Sequence, residues 1–78
     1  MKVRTKNSLY EISEDMATRN TKVVKIKDYY EGGHPNIKTG DIRIGELCFP
    51  IEIGKIIMLY VGEGMAFRST PVEEIISK

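Results

Sequence analysis

The chain is predicted to be all-β: a small antiparallel barrel of the SH3-like kind, built from five to seven short strands. Three observations predict it. Apolar residues recur at period two in short runs, glycines at 45, 54, 62 and 64 punctuate those runs, and no stretch carries the 3.6-residue period of a long helix. Antiparallel hairpins need only short connections, and short connections are what the sequence offers. Its 78 residues make one β-rich domain, residues 1–78.

Lys2 to Ile12 alternates, with Lys6-Asn7-Ser8 supplying turn chemistry, so it reads as one bent strand or a very short hairpin. Ser13-Glu14-Asp15-Met16 pairs a helix-cap residue with acids but lacks the apolar positions of an amphipathic helix, which leaves a turn or one helical turn. Thr21 to Tyr30 returns to β character, with Val24 and Ile26 on one face and Val23, Lys25 and Lys27 on a wet one. Glu31 to Asn36 holds paired glycines and a proline and reads as a loop, with His34 a solvent-exposed member of it.

From Asp41 the pattern is dense. Ile42 and Ile44, then Leu47, Phe49, Ile51 and Ile53, alternate as strands, with Gly45 and Gly54 at bends or turns. Ile56 to Val61 is a continuous apolar run, as expected of a strand covered on both faces by its own barrel or by a second subunit. Gly62-Glu63-Gly64 turns the chain back through Met65 to Arg68. At the end, Thr70-Pro71-Val72-Glu73 has the spacing of a capping box with proline at the first helical position. A short C-terminal helical turn therefore competes with a last sheet strand.

A chain of this length buries only about 60% of the surface it exposes when unfolded. Domains so small are usually held by disulfides, metals, unusually good packing or a partner subunit. One cysteine and one histidine remove the first two, so a homo-oligomer is expected. Cys48, between Leu47 and Phe49, reads as a small buried hydrophobe.

The formal net charge of +1 announces neither a nucleic-acid nor a membrane partner. Residues 1–30 nevertheless carry seven bases against four acids, a pattern that suits a solvated or protected edge strand as well as a binding face. No apolar run approaches the ~20 residues of a membrane span, and the N-terminus lacks the apolar stretch of a secretory signal. With a single cysteine, a cytoplasmic protein is expected.

No nucleophilic set is present: the chain has one His, and neither a Ser nor the Cys stands in a nucleophile context. Gly62-x-Gly64 lacks the rest of a dinucleotide fingerprint, and no phosphate-binding Gly-x4-Gly-Lys loop occurs. The reading is therefore not an enzyme, with no cofactor and no metal, but a binding module.

Its candidate site is Arg68-Ser69-Thr70, where an always-charged planar fork stands beside two hydroxyls in an otherwise apolar run, a combination suited to phosphate or carboxylate. Arg19 and Arg43 are candidates for added charge. Tyr60, Phe67, Tyr29 and Tyr30 are candidates to stack on a base. Against this, each arginine could pair with a carboxylate such as Glu63 or Glu73, and Phe49 and Phe67 are aromatic types more often found in cores. The competing function is an SH3-like adaptor that binds a protein or nucleic acid through Lys22, Lys25 and Lys27.

Two segments carry a resemblance. Thr5-Lys6-Asn7-Ser8-Leu9-Tyr10-Glu11-Ile12 and Arg68-Ser69-Thr70-Pro71-Val72-Glu73-Glu74-Ile75 together resemble the ends of small phage-encoded β-rich proteins. These include the anti-Thoeris sponge family, which sequesters a cyclic ADP-ribose signal without catalysis. The match covers eight residues at each end. It implies a phage or prophage protein in a bacterial cytoplasm, a homo-oligomer with nucleotide pockets at subunit boundaries, and Arg68, Ser69 and Thr70 as phosphate-side contacts. The same two ends would also mark a barrel closure, with Thr5 to Ile12 pairing against the final strand.

Overall fold

A computed structural model describes residues 1–29 and 37–77; the Glu31–Asn36 loop, His34 and Tyr30 lie outside them. Seven strands form one antiparallel sheet: β1 (Lys2–Thr5), β2 (Ser8–Glu14), β3 (Thr21–Asp28), β4 (Ile42–Leu47), β5 (Met58–Val61), β6 (Gly64–Arg68) and β7 (Val72–Ser77). Their order is β6-β5-β4-β3-β2-β1-β7. The fold is thus all-β, and there is no helix among the described residues.

Connectivity makes the sheet roll. Laid flat, seven strands would put β6 and β7 about 29 Å apart at ~4.8 Å per spacing. Yet only Ser69-Thr70-Pro71 joins them, a link that cannot span more than about 15 Å. The two edges therefore approach one another, but no ladder joins β6 to β7, so the barrel is not closed. The 54–57 segment fills the seam instead: Gly54 N donates to Val72 O (2.8 Å), Val72 N to Lys55 O (2.9 Å) and Ser69 N to Ile57 O (2.9 Å).

The first hairpin follows its alternation. Val3 and Thr5 on β1, and Ser8, Tyr10 and Ile12 on β2, point inward, with Lys6-Asn7 as the connecting loop. β1 also pairs with β7, Thr5 opposite Val72 and Arg4 opposite Glu74. The two ends of the chain therefore meet through Lys2–Thr5, while Ser8–Glu14 pairs on its far side with β3. Arg4 grips both Glu73 (2.9 Å) and Glu74 (3.2 Å) across this ladder, and those bonds hold its guanidinium above its ordinary pKa. With Glu73 engaged there and Val72 buried, residues 72–77 form a strand rather than a helical turn.

Between β2 and β3, Asp15 N donates to Asn20 O (2.7 Å), and the Asp15 carboxylate accepts from the Thr18 hydroxyl (2.6 Å) and the Thr18 amide (3.1 Å). These bonds hold the Asp15 carboxyl below its usual range and stabilise a tight turn in which Arg19 adopts φ +65°.

β3 departs from its predicted facing. Leu9 stands opposite Lys27 but Tyr10 opposite Lys25, so Ile26 is the extra residue of a β-bulge. In a regular strand, positions 25 and 28 would lie on opposite faces. The bulge turns both inward. Val23 and Lys25 are therefore buried and Ile26 is exposed, the reverse of a wet Val23-Lys25-Lys27 face. Lys25 is 1% exposed; its Nζ is paired with Asp28 and donates to Ile37 O (2.8 Å), while the Ser8 hydroxyl donates to Asp28 Oδ1 (2.8 Å).

Tyr10 borders this cluster. Burial raises its phenolic pKa, a hydrogen bond with Ser8 works against the rise, and the Asp28 charge adds to it. The unfolded chain releases that proton near pH ~10, whereas the folded chain retains it. Above that pH the unfolded state binds fewer protons, so the contribution is intact below about pH 10 and is lost as pH rises through the folded-state value. Tyr10→Phe should flatten the alkaline fall in stability. Denaturant titrations from about pH 9 to 11 check this, and parallel curves for the two proteins would contradict it.

The 48–57 segment also differs from expectation. Phe49, Ile51 and Ile53 do not continue β4, since Pro50 cannot donate to a ladder and Gly54, at φ +91°, turns the chain. Phe49 and Cys48 are exposed, not buried. β5 begins only at Met58 and is not covered on both faces: Leu59 is buried, whereas Tyr60 and Val61 face out. Val61 pairs with Gly64, and Gly62 at φ +60° takes the first loop position of the hairpin, as predicted.

Gly45 is a close-approach glycine inside β4 rather than a bend. A Cβ there would stand 2.6 Å from Tyr60 O. Gly45→Ala should therefore cost about 1–3 kcal/mol by forcing β4 from β5, measured as a lower denaturation midpoint with unchanged slope.

Buried Val3, Tyr10, Ile12, Val23, Ile37, Ile57, Leu59, Phe67 and Val72 make the core. Tyr10 and Phe67 meet edge to face, centroids 5.3 Å apart at 69°.

Candidate functional site

The rolled sheet's open seam carries a groove of about 330 Å³, lined by Ile56, Arg68, Ser69, Thr70 and Pro71. Strand parity builds it. On β6, Phe67 points into the core opposite Leu59, so Arg68, the next residue, points out opposite Met58. The chain then leaves the strand toward β7 along the seam, and Pro71 has no N–H to extend the ladder.

The three residues of the motif do different work. Arg68 is exposed at the groove and supplies the charge. Ser69 is buried, and its hydroxyl is spent internally: it accepts from Ile57 N (2.9 Å) and donates to Thr70 O (2.6 Å). Ser69 thus pins the 54–57 segment to the end of β6 and shapes the groove rather than offering it a hydroxyl. Thr70 Oγ1 is out of solvent and has no hydrogen-bond partner among the described residues. A buried hydroxyl left unmatched costs about 1–3 kcal/mol.

That cost predicts the sign of a substitution. Thr70→Val keeps the shape and removes the unmatched group, so the ligand-free protein should become more stable by up to about 1–2 kcal/mol. A thermal melt checks this; a lower melting temperature would mean that the hydroxyl has a partner in solution.

The other predicted residues lie elsewhere. Arg19 stands at the β2–β3 turn, its guanidinium 3.6 Å from Glu14. Arg43 sits on β4 opposite Val23, 3.8 Å from Asp41 and donating to Ile42 O (3.0 Å). Neither lines the groove. Tyr60 faces out between Glu46 and Met65, also away from it. Phe67 is 4% exposed and packs on Tyr10, so it is a core residue and not a stacking platform. Tyr29 is exposed, with Lys27 Nζ 5.1 Å from its ring centroid.

The basic face predicted on β3 loses its middle member, because Lys25 is buried and paired while Lys22 and Lys27 remain outside. Sequence reasoning missed both that cluster and the part Ile56 plays in the groove. A Lys-x-x-Asp spacing in a strand signals a shared face only once a bulge is known.

Among the described residues, no group of three His, Cys, Asp or Glu side chains could hold a metal ion, and no helix is long and apolar enough to cross a membrane. Comparison with protein-family models, with curated proteins and with solved structures returned no match.

Proposed function

We propose that this chain is a non-enzymatic binding protein that holds a cyclic or phosphorylated nucleotide, with Arg68 as its phosphate contact. The observation that carries the reading is Arg68 standing at a groove of about 330 Å³, within the ~300–1,000 Å³ of small-ligand sites. A guanidinium supplies two parallel donors to a phosphate, and the backbone beneath it is fixed by Ser69. The terminal resemblance adds the biological role: a phage-encoded anti-defence protein that sequesters an immune signal in the host bacterial cytoplasm, working as a homo-oligomer. Sequestration requires tight binding and no turnover, and nanomolar retention corresponds to about −12 kcal/mol.

Melting in the presence of cyclic dinucleotides, cyclic trinucleotides and ADP-ribose isomers tests the reading. A ligand at about 100 times its dissociation constant should add ~2.7 kcal/mol to stability. No shift with any of the three classes rejects it.

A further inference from the structure

A second depression, of about 390 Å³, adjoins the Arg68 groove. It is lined by Phe49, Lys55 and Ile56, and Ile56 lines both. We propose that it is the base subsite of the same nucleotide, with Phe49 as the stacking ring; this rests on the phosphate reading of Arg68. The ligand class is then a nucleoside phosphate, rather than a bare phosphate or an acidic peptide.

The sheet sets the spacing. Cys48 N donates to Met58 O (3.0 Å), and Met58 stands opposite Arg68, so Cys48, Met58 and Arg68 form one row. Two strand spacings place the ends of that row about 10 Å apart, and Phe49 follows Cys48 directly. This separation suits a ligand with its negative charge at one end and a flat apolar body at the other. Phe49 is 43% exposed, a large apolar face left open to solvent. Pro50 restricts the backbone of Phe49 to extended conformations, so less freedom is lost when the ring is covered. The only charges at this second depression are Lys55 and its partner Glu52, at 3.0 Å, which offset one another and leave Arg68 as the charged end. The depression is shallow and open, which fits a planar ring laid on Phe49 and Ile56 better than an acyl chain needing an enclosed slot.

Calorimetric titration of the wild-type chain with pyrophosphate and with ADP tests this. Both should bind and both should lose binding in Arg68→Ala, with ADP the tighter by about tenfold, the order of one base stacked on one aromatic ring. Phe49→Ala and Phe49→Leu should erase the advantage of ADP and leave pyrophosphate unchanged, while Phe49→Tyr should keep it. Because the ring is exposed, these variants should fold, and a matching circular dichroism spectrum checks that. Equal affinities for ADP and pyrophosphate, or an ADP advantage that survives Phe49→Leu, overturn the base subsite while leaving the phosphate reading intact. Failure of both probes to bind overturns the phosphate reading and the subsite with it.

Discussion

Lys25→Met should destabilise the fold by about 3 kcal/mol, the largest effect expected of any single substitution in this chain. The substitution keeps the aliphatic stem and removes only the ammonium. Asp28 and Ile37 O then lose their donor in a site where Lys25 itself is 1% exposed. Breaking a buried ion pair on one side typically costs ~3–5 kcal/mol, and the lower end applies because the Asp28 side chain retains 29% exposure.

A domain of this size has only ~4–12 kcal/mol in hand, so the melting temperature should fall by about 12–24 °C. Substituting the partner as well separates the causes. Lys25→Met with Asp28→Leu removes both charges, and it should recover much of the loss if the cost was an uncompensated carboxylate. A double variant no more stable than Lys25→Met would assign the cost to the Ile37 and Ser8 contacts instead.

The second large effect is functional. Arg68→Ala should weaken nucleotide binding by about 2–5 kcal/mol, roughly 30-fold to several-thousand-fold, while leaving stability within ~0.5 kcal/mol. The separation follows from position: Arg68 is exposed at the end of β6, whereas its neighbours Phe67 and Ser69 carry the packing and the backbone bonds. Ser69→Ala should show the opposite balance, losing stability because Ile57 N is left without its acceptor. Titration calorimetry paired with denaturant melts reads both quantities.

How far the sequence could be read is clearest where local chemistry decides. Alternation gave β1 and β2 their faces, and Gly62 gave the β5–β6 hairpin its turn, because each depends on neighbours within a few residues. The facing of β3 could not be read that way. One bulged residue, Ile26, inverts the parity of everything after it, and Lys25 moves from an expected wet face to the interior.

The 48–57 segment was misleading for the opposite reason. Phe49, Ile51 and Ile53 do alternate, but Pro50 and Gly54 already marked the segment as irregular. The C-terminal capping-box spacing was outweighed by tertiary pairing, since Arg4 takes Glu73 and Val72 fills the core.

The candidate site was half legible. An arginine beside two hydroxyls in an apolar run marked the place, but not the division of labour within it. Whether Phe67, Arg68 or Ser69 points inward depends on where β6 starts and on the register shift between Leu59 and Tyr60. Ile56 joined the site only because the sheet rolls until its two edges face each other across the 54–57 segment.

The central claim is that an anionic nucleotide sits at Arg68 in the seam of the rolled sheet. Amide chemical-shift mapping during titration with ADP and ADP-ribose tests it most directly. The account predicts that the largest shifts fall on Ile56, Arg68, Ser69 and Thr70, and that the same spectrum of Arg68→Ala is unmoved. Shifts concentrated around Lys22 and Lys27 on β3, or a spectrum indifferent to every nucleotide added, would contradict it.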